Sequence, residues 1–128
     1  MSAAHTGEHI VLASNNPGKV REIGQLLASE RIQIIPQGEL GVPEAEETGL
    51  TFVENAILKA RNAARHCSLA AIADDSGIEV DALQGAPGIY SARYAGAGAS
   101  DWENLERLLA DLRGVHEVER TARFQCLM

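Results

Sequence analysis

Three groups of residues in this chain have the types and spacing to do chemistry. The first is Ser14, Asn15, Asn16, Pro17, Gly18 and Lys19. It follows the apolar run of residues 9–13, which reads as a strand, and precedes Val20, Ile23 and Leu27, which recur at helical spacing. Asn16 is placed to cap that helix, with Pro17 at its first position, where the missing N–H costs nothing. Amide groups at a helix start bind anions, Gly18 allows close approach and Lys19 adds a point charge, so the loop suits a phosphate. The pattern GxxxxGK followed by Ser or Thr would need Gly at Ala13 and a hydroxyl at Val20, which excludes a P-loop NTPase. Taken alone, the segment reads best as a capped turn with a surface lysine.

The second group is Asp74, Asp75, Ser76 and Gly77, directly after the apolar residues 69–73. Adjacent acids at the end of a buried strand are costly without a cation, and carboxylate oxygens are hard ligands of the kind Mg²⁺ takes together with substrate phosphate. An ordinary acidic turn explains the four residues equally well. The third group is the stripe Asn55, Lys59, Asn62 and His66 on one side of a helix, with Lys59 flanked by amides as if to face a phosphate; such a stripe is more often the wet side of an amphipathic helix. Glu44, Glu46 and Glu47 form an acidic loop that offers a further ligand or a solvated charge run. His5, His9 and His116 have no ligand spacing, while Tyr90, Arg93 and Tyr94 suit a pocket wall or an interface.

The elements that must position these groups follow from periodicity and turn chemistry. Strands are expected over residues 9–13, 31–35, 69–73, 78–80 and 121–128, the last alternating polar and apolar as a half-buried strand does. Helices are expected after Asn16, from the Thr51/Glu54 capping box to about His66, and from the Ser100/Glu103 capping box to Gly114. Phe52, Ala56, Ala60, Ala63 and Ala64 make a small-residue packing side on the second helix, and Trp102, Leu105, Leu108, Leu109 and Leu112 one on the third. Strands interleaved with helices give an α/β class. The acidic turn at Asp74 and Asp75, read as a hairpin, makes the expectation a mixed twisted sheet flanked by helices.

Composition sets outer limits. The chain has 128 residues, 45% of them hydrophobic and 23% charged, which is a globular balance for one domain, residues 9–128 after a polar leader of residues 1–8. A formal charge of −7 argues against polymeric nucleic acid and anionic membranes as partners. Cys67 and Cys126 show no metal spacing and form no disulfide framework, and the leader lacks the order of a signal peptide, so a soluble, cytoplasmic protein is expected.

The segments SNNPGK, EETGLTFVENAILKA, IADDSG and GAPGIYSARYAG, in this order, resemble the inosine triphosphate pyrophosphatase, or Ham1-like, family, and the dITP/XTP pyrophosphatases in particular. The resemblance runs from Ile10 to Met128. It implies the Maf/Ham1 fold, a homodimer, and Mg²⁺-dependent hydrolysis of ITP, dITP and XTP to the monophosphate and pyrophosphate. It places Ser14, Asn15, Asn16, Pro17, Gly18 and Lys19 in the phosphate loop, with Asn16 and Lys19 on the triphosphate. Lys59 matches a phosphate-binding lysine, Glu47 and Asp75 match acids associated with magnesium, Asp74 supports metal or water, Asp75 is the proton acceptor, and Ser76 contacts substrate. A water deprotonated by Asp75 would attack the α-phosphorus, with pyrophosphate leaving against Lys19 and Lys59.

The family pattern continues with further strands, an FGYDP-like segment and a serine, histidine and arginine motif that contact the base; this sequence stops before them, within its last expected strand. A truncated domain that keeps its phosphate and metal residues, loses base selection and has weak or no activity is therefore the expectation. Two other readings compete. One is a non-catalytic nucleotide-binding or dimerisation remnant; the other is a Maf-like pyrophosphatase, which would want arginines in place of Pro17, Gly18 and Lys19.

Overall fold

A computed structural model describes residues 7–128; the leader residues 1–6, His5 among them, lie outside the described residues. The described residues divide into two compact units, residues 7–49, 53–74 and 128 in one and residues 50–52 and 75–127 in the other.

The first unit is built on a three-stranded parallel sheet. Strand β1 (Glu8–Leu12) lies in the middle, between β2 (Ile32–Pro36) and β3 (Ala70–Ile72). All three run parallel, and the ladder between β1 and β3 extends to the Ala13 N–H, which donates to the Ile72 carbonyl at 2.8 Å. A parallel neighbour needs a crossover connection. Helix α1 (Pro17–Leu27) supplies the one between β1 and β2, capped by Asn16 as the sequence indicates. Helix α2 (Phe52–Cys67) lies between β2 and β3 in the chain. Its alanine side does the packing: Ala63 is fully buried with Val11, Ala13, Val42 and Ala73, and Ala60 rests against them. A side chain no longer than a methyl group is what lets the helix backbone come this near the sheet.

The second unit pairs β4 (Asp75–Val80) antiparallel with β5 (Ala122–Leu127). The expected hairpin at the acidic turn is therefore corrected. Strand β3 ends in the parallel sheet, and β4 begins at Asp75 itself and takes a partner some 47 residues further on, Ser76 lying opposite Cys126 and Ile78 opposite Phe124. Turn-forming residues punctuate a chain but do not say which strands pair across the gap. The outer side of β4 is covered by a 3-10 turn, Gly88–Arg93. There the Ser91 hydroxyl accepts from the Ile78 N–H at 3.0 Å and donates to the Gly88 carbonyl at 2.6 Å, standing in for a strand.

Helix α3 (Asp101–Asp111) opens on the expected capping box, Ser100 with Glu103. Its inward side differs from the expected one: Leu108 and Leu112 are buried with Val80, whereas Trp102, Leu105 and Leu109 are exposed. Asn104 takes the third inward position because its carboxamide is used there, Oδ1 accepting from the Ala95 N–H at 2.8 Å and Nδ2 donating to the Ala92 carbonyl at 2.9 Å. A hydrophobicity pattern misses an inward asparagine that is fully hydrogen-bonded.

Strand β5 is exposed along its whole length, against the half-buried expectation. Its alternation is real, but burial of one face depends on what packs there. Its polar side chains tie it across to β4 and the adjoining turn: Arg123 bonds Asp81 at 2.7 Å and sits 3.7 Å from Glu79, and the Thr121 hydroxyl donates to Asp81 at 2.7 Å. The Thr121 hydroxyl first, then Arg123, holds the Asp81 carboxyl below its ordinary 3.8. A lowered folded value means the contribution is present above the unfolded pKa and lost as pH falls through the folded one. Asp81→Asn is accordingly expected to lower the urea midpoint at neutral pH, and the gap from the unaltered chain to close below about pH 3.8; a gap independent of pH would contradict this.

Candidate functional site

The loop after β1 is held by its own side chains. Ser14 Oγ accepts from the Asn16 N–H at 3.1 Å, and Asn16 Oδ1 accepts from the N–H groups of Gly18 at 2.9 Å and Lys19 at 3.3 Å. Asn15 Oδ1 reaches across to the Gly38 N–H at 2.9 Å, where a Cβ on residue 38 would stand only 2.7 Å from that oxygen. The helix-start amides that the sequence offers to an anion are thus engaged by the cap. What the loop still presents is the ammonium of Lys19 and, on the exposed Asn15 and Asn16, carboxamide N–H donors.

Lys19 is the residue that joins two of the three sequence groups. Its Nζ lies 2.7 Å from Asp74 Oδ2, with the Asp74 side chain 5% exposed and that of Lys19 35% exposed. Loop and acid meet because β1 and β3 are adjacent parallel strands, so the segments leaving their ends start side by side. Asp75 is joined to Asp74 by one peptide bond and is also buried; it forms the first residue of β4, and Ser76, half-buried, the second.

The third group lies on α2. Lys59 Nζ lies 3.0 Å from Glu47 Oε1, and both side chains are mostly buried. Glu44 and Glu46, by contrast, are exposed. Asn62 Nδ2 donates to the Pro43 carbonyl at 2.8 Å, and Asn55 Oδ1 accepts from the Gly49 N–H at 2.8 Å. The stripe therefore holds the acidic loop along the helix and is more than a wet face. His66 Nδ1 meets the carbonyl of Asn62, in the preceding helical turn, at 2.8 Å. The glycines at 38 and 49, each meeting an asparagine oxygen, escaped the sequence reading; a glycine in an otherwise polar loop is the signal that marks such close approaches.

Each lysine of this unit thus faces a carboxylate across a short ion pair. An arriving phosphate can take the ammonium, and a hard cation the carboxylate, with little change in net charge. Among the described residues no cluster of three or more His, Cys, Asp or Glu side chains assembles. Mg²⁺ held by one or two carboxylates together with substrate phosphates needs no such cluster, and the buried Asp74 carboxylate is a hard oxygen donor of the kind that ion takes.

The sequence model of the Ham1 family matches residues 10–128. This chain belongs to the Ham1 family. It is 63% identical over 119 residues to a dITP/XTP pyrophosphatase of Methylococcus capsulatus, an alignment covering 93% of this chain and 59% of that protein. Against a dITP/XTP pyrophosphatase of Thioalkalivibrio sulfidiphilus the identity is 66%, over 93% and 61% of the two chains. The fold is similar to that of a solved HAM1 protein from Coxiella burnetii, with a TM-score of 0.84 at 50% identity over 93% of this chain and 60% of that one. The Ham1 protein of Staphylococcus aureus gives a TM-score of 0.79 at 47% identity, over 93% and 60%. The chain therefore spans about three-fifths of the length of the Ham1 relatives it matches. Both the α/β class and the Ham1 fold expected from the four motifs are borne out. No helix among the described residues is long and apolar enough to cross a membrane.

Proposed function

We propose that this chain carries the phosphate-handling machinery of a pyrophosphatase acting on deaminated purine nucleoside triphosphates, dITP and XTP among them, and releasing the monophosphate and pyrophosphate. The observation that carries the reading is the Lys19–Asp74 pair, which brings the loop after β1 to the acids that follow β3, in a chain whose relatives bear the name dITP/XTP pyrophosphatase.

Lys19 and Lys59 exchange their carboxylate partners for phosphate oxygens and offset the charge that builds on the leaving pyrophosphate. Asn15 and Asn16 add neutral donors from the loop that Pro17 and Gly18 shape, and the Ser14 hydroxyl keeps that loop in place. Asp75 accepts a proton from the attacking water as its oxygen bonds to the α-phosphorus. The bond from that phosphorus to the bridging oxygen breaks, and pyrophosphate leaves with the electron pair. The Ser76 hydroxyl donates to a substrate oxygen. The Mg²⁺ that the resemblance associates with Glu47 and Asp75, with Asp74 in support, would supply the positive charge that an acidic protein needs to accept a triphosphate.

The test is pyrophosphate release from dITP, XTP and ATP, with Mg²⁺ and with a chelator. Release from dITP and XTP that stops on chelation is the expected result; release unaffected by chelation would contradict the role given to Mg²⁺. Mg²⁺-dependent dITP binding in calorimetry with no release of pyrophosphate would instead mark a module that binds the nucleotide without turning it over, and neither binding nor release would overturn the reading. The resemblance also supports a homodimer, to be read by sedimentation. The free thiols of Cys67 and Cys126 agree with a cytoplasmic setting.

A further inference from the structure

Asn55 is fully buried, yet only one end of its carboxamide is used. Gly49 presents an N–H, which requires an oxygen opposite it and so fixes which way the amide points. Nδ2 is then a buried donor with no hydrogen-bond partner among the described residues. A half-satisfied buried amide costs stability, and leucine has the same branched outline with nothing to satisfy. Packing therefore gives no reason for an asparagine here, whereas Gly49 does.

The contacts around it have an order. Asn62, Lys59 and Asn55 succeed one another up one side of α2 and meet Pro43, Glu47 and Gly49 in turn, so the acidic loop runs antiparallel to the helix on three rungs. Glu47 sits between two tethers. The rung at Asn55 is the tightest, because a Cβ on residue 49 would stand 2.6 Å from Asn55 Oδ1 and 2.7 Å from Glu54 Cβ. Only glycine brings its N–H this near the helix. A loop of about seven residues without regular structure would otherwise sample many conformers, each with Glu47 elsewhere.

We propose that Asn55 is a positioning residue: through Gly49 it fixes the end of the acidic loop and so holds the Glu47 carboxylate at Lys59. The inference rests on the functional reading only in giving Glu47 and Lys59 work to do. The tether itself is testable without substrate. In the unaltered chain the Gly49 amide is expected to be protected from hydrogen exchange, and a double-mutant cycle of Glu47→Gln with Lys59→Met to show coupling in unfolding free energy.

In Asn55→Leu, protection at Gly49 and most of that coupling are expected to be lost. Asn55→Asp, which keeps an acceptor for the Gly49 N–H, should retain both. Gly49→Ala attacks the same contact from the loop and should reproduce the leucine variant, which guards against a variant that merely folds badly. Persistence of the coupling in Asn55→Leu and Gly49→Ala, or its loss in Asn55→Asp as fully as in Asn55→Leu, would overturn the proposal. Pyrophosphate binding at rising Mg²⁺ adds the functional arm: weaker binding in Asn55→Leu, rescued in Asn55→Asp, is expected. If the unaltered chain binds no pyrophosphate while the tether behaves as described, the nucleotide reading falls and the positioning role stands.

Discussion

Replacing Asp75 by asparagine is expected to lower pyrophosphate release from dITP by roughly 10²- to 10⁴-fold, the usual worth of a positioned general base, and to leave the fold intact. The two side chains have the same shape, so the first residue of β4 keeps its backbone pairing opposite Leu127. The amide has no basic oxygen with which to take a proton at neutral pH. Release measured alongside the urea midpoint separates the two effects. Undiminished turnover in the variant would remove Asp75 from the reaction, and a large drop in the midpoint would mean that its role is structural.

The largest expected change in stability is at Gly77. This residue lies inside β4, where a Cβ would overlap the carbonyl oxygen of Gly88 and come within 2.6 Å of Ser91 Oγ. The obstacle is backbone, which has no rotamer to give. Gly77→Ala must push the 3-10 turn off the strand and break the Ser91 bonds to Ile78 and Gly88, at a cost of about 1–3 kcal/mol or more. Gly24 provides the opposite case. It lies within α1 and nothing would stand within 4 Å of an added Cβ, so Gly24→Ala should stabilise the chain by up to about 1 kcal/mol through helix propensity. Urea melts of the two variants should shift in opposite directions, and shifts of the same sign would contradict the packing described for Gly77.

These two glycines show where a linear reading stops. Both interrupt regular elements, and nothing in their immediate neighbours tells a tolerated helix glycine from one that a carbonyl oxygen presses against. The asparagines divide between near and distant partners. Asn16 was legible as a cap because its partners, Gly18 and Lys19, are two and three residues away. Asn15 bonds across 23 residues to Gly38, and Asn104 holds two backbone groups of another segment, so neither has a local signature. The polar stripe on α2 was visible as a stripe. Its use as a series of tethers for the acidic loop was not.

The helices, the caps of α1 and α3, most strand positions and the family could be read from the sequence, because each is set by interactions between near neighbours or by motifs read in order. Caps, turn residues and apolar periods act within a few positions and survive in a string of letters. The tertiary structure decided which strands pair, which side of α3 faces inward, and which acid each lysine meets: Asp74 for Lys19 across 55 residues, and Glu47 for Lys59. Such pairings depend on parallel strands and a loop laid along a helix bringing distant segments to within about 3 Å, the distance at which an ion pair or hydrogen bond forms and which spacing along the chain does not encode.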